Sequence, residues 1–400
     1  MYPKTPRTEF PKVFMNTIEM IDSNKLTFNK HNELEGFSFK NHLAYQFDAG
    51  LFGNFVKEKY AIPRGVKYVF DDIIDHSKSK RGYMTKLIGK KSTYEADLFI
   101  DCTGFKSMLL EKAMGVNFNS YKDTLLSDKA IATKLPYSDK NKEMETATNA
   151  TTLSSGWVWN IPLWNRIGTG YVYSSKFQTP KEAEDEFREF LRNHRDVPKG
   201  DLVDELEFTH LDIKAGVHDV SMVKNVVAVG LSNGFIEPLE STGLILTYET
   251  IKKLLQLFNS RVDREGIVFN KFDVDIFNKD NKSLMDGFKE FITLHYALSE
   301  RDDTPYWKFI TEELEFDSNS GFYNRKHMAN IGGGTAFIVA GFRGALFNEF
   351  KQIASKDQGA KLFINKMSKA TRDKSEQNQE EVDKMLTHYE FLSKHIYNKE

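Results

Sequence analysis

The chain has 400 residues, enough for two or three packed units rather than one small core. Its 55 basic and 57 acidic side chains leave a net charge of -2, which excludes a global field that would draw in nucleic acid or an anionic membrane. No apolar run reaches the roughly 18 residues a spanning helix needs, since the longest candidate, 336–345, is cut by Arg343. A single cysteine, Cys102, excludes a disulfide framework and a cysteine-based zinc site, and with no apolar leader at the N-terminus the expected setting is cytoplasmic.

The expected elements follow in chain order. Residues 1–41 read as an irregular strap containing Pro3, Pro6 and Pro11. Asp48 then caps a helix with Leu51, Phe52, Phe55 and Val56 at helical spacing. A strand is expected after Gly65, and a second through Leu98, Phe99 and Ile100, with Cys102 as a small buried filler at its end. Residues 151–175 alternate, which places Trp157, Trp159 and Ile161 on one face of a hairpin that turns at Asn165 and Arg166. The stretch 181–194 is an amphipathic helix with Ala183, Phe187, Phe190 and Leu191 inward. Val226–Leu231 suits a strand buried on both faces, followed by a loop and a helix from Leu244. Beyond 260 the pattern is mostly helical. Gly332, Gly333 and Gly334 follow no strand and read as a loop. The ten histidines show no metal-ligand spacing.

The strongest chemical signal is Phe235-Ile-Glu-Pro-Leu-Glu-Ser-Thr-Gly243 between the buried strand and the helix. With Ser241 or Thr242 at the N-cap, the backbone N–H groups of Thr242, Gly243 and Leu244 lack intrahelical partners and carry the positive end of the macrodipole. That makes an anion site, the alternative being an ordinary capped helix whose Glu237 and Glu240 favour the dipole.

Phe235, Pro238, Ser241 and Gly243 also resemble the FxxPxxSxG hallmark of flavin-dependent halogenases, and the full string looks like the tryptophan halogenase group. Trp157, Trp159, Ile161 and Pro162 resemble the WxWxIP hallmark. FIDCTGF at 99–105, HLAYQFDA at 42–49, RGV at 64–66 and HYALSERDDTPYW at 295–307 are similar to further family segments in family order.

The resemblance implies an α/β (α+β) chain with a glutathione-reductase-like FAD-binding fold and a largely helical substrate lobe. It divides the chain into 1–41, a partial FAD-binding domain at 42–255 with a sheet inserted at about 151–220, and a lobe at 256–400. It implies reduced FAD from a separate flavin reductase, O2, and chloride or bromide. These form a hypohalous oxidant that halogenates an electron-rich aromatic such as an indole. Thr242 and Gly243 resemble the halide site, and Glu240 the catalytic glutamate. Val66, Gly104, Gly230, Leu231 and Leu244 fall where relatives meet the flavin. Trp157 and Trp159 resemble the pair that keeps substrate from the flavin, with plain core packing as the alternative. Trp307, Phe288, Phe291 and Phe309 are candidates for the pocket wall, packing being the other role open to them.

One departure stands against the resemblance. No strand–GxGxxG–helix unit precedes residue 42, and neither Lys4 nor Lys12 matches the setting of the family's catalytic lysine. The sequence therefore reads as N-terminally truncated relative to the family. A single-component flavin hydroxylase and an inactive binding protein remain as alternatives, and a homodimer is a further expectation.

Overall fold

In the computed structural model of the chain, which describes residues 17–26, 44–260, 262–263, 266–267, 269–297, 299, 301–314 and 358–397, the alternating stretch becomes the middle of a five-stranded antiparallel sheet. The strands run in the order Thr209–Asp212, Lys129–Leu135, Ile167–Tyr173, Gly156–Pro162, Asn149–Leu153. Alternation fixes the register because a slip of one residue would turn every inward side chain outward. Trp159 lies opposite Gly170 and Trp157 opposite Val172. A Cβ at Gly170 would fall 2.2 Å from the Trp159 ring, so the glycine makes room for the indole. The other face presents Ile131, Val158, Tyr171 and Tyr173 to the helix Pro180–Arg192, which buries Ala183, Phe187 and Leu191 against them. Burying Phe187 and Leu191 contributes about 1.5–3 kcal/mol each. Thr179 and Glu182 close a capping box at the helix start, with Pro180 in its first turn.

The expected buried strand is shorter than 226–231: Val226–Ala228 pairs in parallel with Phe99–Asp101, while Gly230–Ser232 turns into a 3-10 helix that leaves Leu231 exposed. Asp101 ends its strand as a buried carboxylate. Its Oδ1 accepts from Thr103 Oγ1 at 2.6 Å, and its Oδ2 accepts from the backbone N–H groups of Leu109 and Leu110 at 2.8 and 2.9 Å. Ser232 Oγ donates to the Asp101 carbonyl oxygen at 2.5 Å, and Ser107 Oγ to the Ser232 carbonyl oxygen at 2.8 Å. These bonds hold the loops that follow the two parallel strands side by side.

The later part is helical among the described residues, with Lys271–Ala297, Pro305–Glu312 and Gln358–Asp383 as its main helices. The mixed helix and sheet agrees with the α+β class. Several local expectations change. Residues 66–72 form no strand, which begins instead at Ile73 and runs to Lys78. The helix capped by Asp48 exists, Asp48 accepting from the N–H groups of Gly50 and Leu51, yet Leu51, Phe52 and Phe55 are exposed. Helical spacing reports an apolar face, not what covers it. Cys102 is exposed rather than a buried filler, because Phe99 and Asp101 take the inward positions. The described residues of the strap are regular rather than irregular: the helix Ile18–Asp22 and the strand Lys25–Leu26 pack Met20 against Val382 and Met385. The Gly332–Gly334 loop lies outside the described residues.

Glu111 ties the loop after Asp101 to the strand that leads to the candidate site. Its carboxylate meets Lys112 at 2.6 Å, Lys214 at 2.7 Å and His218 Nε2 at 3.2 Å. Hydrogen bonds from Lys112 and then Lys214 hold its pKa down at about 2. A depressed carboxylate pKa stabilises the fold above the unfolded value, and that contribution is lost as pH falls toward the folded one. Glu111→Gln is therefore expected to cost about 1–2 kcal/mol at neutral pH, screening included. In urea melts the deficit should shrink between about pH 4.5 and pH 2; a deficit unchanged over that window would show that shape, not charge, matters here.

Candidate active site

The site is built on the loop Phe235–Gly243. Gly234 and Phe235 form a short strand beside Gly216–His218, and Ile236 enters the core formed with Val217, Leu246 and Met285. Pro238–Glu240 make one tight turn, and Ser241, at φ 54°, takes the left-handed region and redirects the chain into the helix Thr242–Ser260. Ser241 is thus not a conventional extended N-cap. Thr242 is buried, and its hydroxyl has no hydrogen-bond partner among the described residues. A Cβ at Gly243 would meet nothing within 4 Å. A 19-residue helix thus begins beside open space, where its leading N–H groups favour an anion.

Glu237, which sequence reasoning treated only as a charge near a dipole, is the buried hub of the site. Its side chain is wholly removed from solvent. Oε2 accepts a hydrogen bond from the Tyr296 hydroxyl at 2.7 Å and from the Trp157 indole N–H at 3.3 Å. Burial pushes its pKa up, while the hydrogen bonds from Tyr296 and Trp157 act in the opposite direction. The Trp157 and Trp159 rings stand edge to face, with centroids 6.3 Å apart. Trp157 is almost fully buried and Trp159 packs beside it. Pro162 ends their strand opposite Ile167. The pair packs in a core, and the carboxyl that orients Trp157 belongs to the site loop.

Two further segments touch this loop, through His295 and Phe105, and a third, at Asp48, is tied to the turn after the tryptophan strand. His295 Nε2 lies 2.7 Å from Glu240 Oε1. In the same segment Trp307 Nε1 donates to the Leu153 carbonyl oxygen at 2.7 Å and Thr304 Oγ1 to the Ser154 carbonyl oxygen at 2.7 Å, fastening it to the turn before Trp157. Asp48 is bonded by Arg166 at 2.8 Å, in the turn after Pro162. Phe105 meets Phe235 edge to face at 5.4 Å, joining the loop after Asp101 to the site loop. Phe288, Phe291 and Trp307 are buried in one hydrophobic cluster, and Phe309 packs on Phe177.

The residues at the ends of the parallel strands fit a flat cofactor. Gly104 and Gly230 adopt φ of 69° and 70°. A Cβ at Gly104 would meet nothing within 4 Å, and one at Gly230 only Thr247 Oγ1 at 3.5 Å. The backbone is thus open to close approach at the carboxyl ends of parallel strands, where ligands of α/β sheets sit. Leu231, Leu244 and Val66 are exposed apolar side chains that a planar ring system could cover. No group of three or more His, Cys, Asp or Glu suited to a metal occurs among the described residues. Among those residues, too, no helix is long and apolar enough to cross a membrane.

A family model described as "Tryptophan halogenase" matches residues 5–360. The chain is 37% identical to 7-chloro-L-tryptophan 6-halogenase KtzR of Kutzneria sp. (strain 744) over 70% of its own length and 51% of that protein. Among solved structures, VirX1 superposes with a TM-score of 0.84 and 35% identity, covering 98% of this chain and 77% of that one. Tryptophan 6-halogenase SttH from Streptomyces toxytricini gives a TM-score of 0.70 and 31% identity, covering 81% and 63%. The chain belongs to the tryptophan halogenase family. It spans about half the length of the curated relatives it matches.

Proposed function

We propose that the chain carries the halide- and substrate-facing part of a flavin-dependent halogenase acting on an electron-rich aromatic of the indole or tryptophan class in the cytoplasm. The observation that carries the reading is the loop Phe235–Gly243, whose turn places the exposed Glu240 next to the open helix start at Gly243 while Glu237 reaches back to Trp157. In this reading Val66, Gly104, Gly230, Leu231 and Leu244 hold FAD, within a domain at 42–255. Bound in its reduced form and resupplied by a separate flavin reductase, FAD furnishes with O2 and halide the electrophilic halogen. The chain's own residues do the rest. Thr242 and Gly243 hold chloride or bromide through backbone N–H groups. Trp157 and Trp159 separate substrate from the flavin side. Glu240 stabilises the positive charge that develops on the ring during attack.

The test is turnover by the full chain given FAD, a flavin reductase with its reductant, O2, tryptophan, and bromide or chloride. Halogenated tryptophan that depends on halide, read by mass spectrometry, is expected. Oxygenated product formed without halide, or binding of tryptophan with no flavin retained under any reconstitution, would overturn the reading.

A further inference from the structure

The Glu240 carboxylate is held by a partner whose own geometry is fixed. His295 Nδ1 lies 3.0 Å from the Phe291 carbonyl oxygen, one turn back on the same helix. A carbonyl oxygen only accepts, so Nδ1 carries a hydrogen. Nε2, on the opposite edge of the ring, faces Glu240 Oε1 at 2.7 Å. A carboxylate also only accepts, so this contact requires a second proton, shared between Nε2 and Oε1. The imidazole is further confined by the Phe291 ring, edge-on at 5.1 Å. His295 is 14% exposed and Glu240 42%: the ring is anchored inside and the carboxylate reaches outward. A glutamate this exposed would otherwise sample several rotamers, and fixing one costs side-chain entropy.

We propose that His295 is the positioning residue of Glu240: the imidazole, locked by the Phe291 carbonyl, takes Oε1 and so fixes the direction in which the carboxylate faces the aromatic substrate. The proposal rests on the reading of Glu240 as the catalytic carboxylate. It does not depend on His295 touching substrate. The length of the replacement side chain separates this role from packing. Glutamine can place an amide N–H near the position of Nε2, asparagine only near that of Nδ1, and leucine places none.

The experiment uses the full chain with tryptophan as probe, comparing His295→Gln, His295→Asn and His295→Leu, and combining His295→Leu with Glu240→Gln. His295→Asn and His295→Leu are expected to lower kcat about 10- to 100-fold while KM for tryptophan moves less than about threefold. His295→Gln should recover to within about fivefold of the parent, and His295→Leu should add little to Glu240→Gln. Equal losses in all three variants, or losses that multiply in the double variant, would overturn the proposal. A second readout stands apart from turnover: the proton spectrum should hold a downfield resonance for the bonded Nε2 contact that disappears in both His295→Gln and Glu240→Ala. If that resonance survives Glu240→Ala, the pairing is wrong even where turnover is normal. If the parent chain forms no product yet the resonance behaves as expected, the functional reading fails and the pairing stands.

Discussion

Glu237→Leu is expected to cost about 2–5 kcal/mol of stability, because it leaves two buried donors, the Tyr296 hydroxyl and the Trp157 indole N–H, without their acceptor at about 1–3 kcal/mol each. Glu237→Gln should behave oppositely. The amide oxygen keeps an acceptor in place, and the substitution removes a carboxyl whose burial pushes its pKa up. The sign follows from which state holds the proton more tightly. Here the folded state does, so above the unfolded value of about 4.3 the parent loses stability as pH rises, until pH passes the raised folded value. The glutamine variant lacks that loss. It should match the parent in acid and exceed it near neutrality. Denaturant melts of the parent and both variants across that range check this; a glutamine variant less stable than the parent at neutral pH would mean that Glu237 is held ionised. In the leucine variant the indole also loses its tether, so near-ultraviolet circular dichroism from the Trp157–Trp159 pair should weaken.

Glu237 also shows where sequence reading stops. It and Glu240 lie three residues apart in one motif, equally acidic and both ahead of the same helix start. One is wholly buried and the other is exposed. Nothing local separates them. The tight turn at Pro238–Glu240 sends them to different sides, and the partners that make burial of Glu237 tolerable, Trp157 and Tyr296, are 80 and 59 residues away. Elements whose stability is written in periodicity were legible: the Trp157–Trp159 hairpin, the helix Pro180–Arg192 and the buried strand at Val226. The face of the helix after Asp48 was legible as apolar but not as exposed, since burial depends on neighbours rather than spacing. His295 stood in a motif quoted for its order in the chain, with no signal for its role. A histidine on a helix becomes informative only when both ring nitrogens have found acceptors.

The contrast between the two glutamates sets the last expectation. Glu240→Gln keeps the shape of the side chain and removes its charge at a half-exposed position, so its effect on folding should be within about 0.5 kcal/mol. Its effect on turnover should be far larger. If Glu240 stabilises positive charge on the aromatic ring, a neutral amide loses a preorganised electrostatic contact, a change on the scale of about 100- to 1000-fold in kcat. A carboxylate that acts only on the developing charge contributes little to ground-state binding of tryptophan, so kcat and kcat/KM should fall together. Halide affinity should hold or improve slightly, because the leading N–H groups at Thr242 and Gly243 remain while a nearby negative charge is gone. Steady-state kinetics at several bromide concentrations, run beside thermal melts, measure all of these quantities. A variant that melts like the parent and turns over at the parent's rate would remove Glu240 from the reaction and leave it as the outward end of the His295 contact.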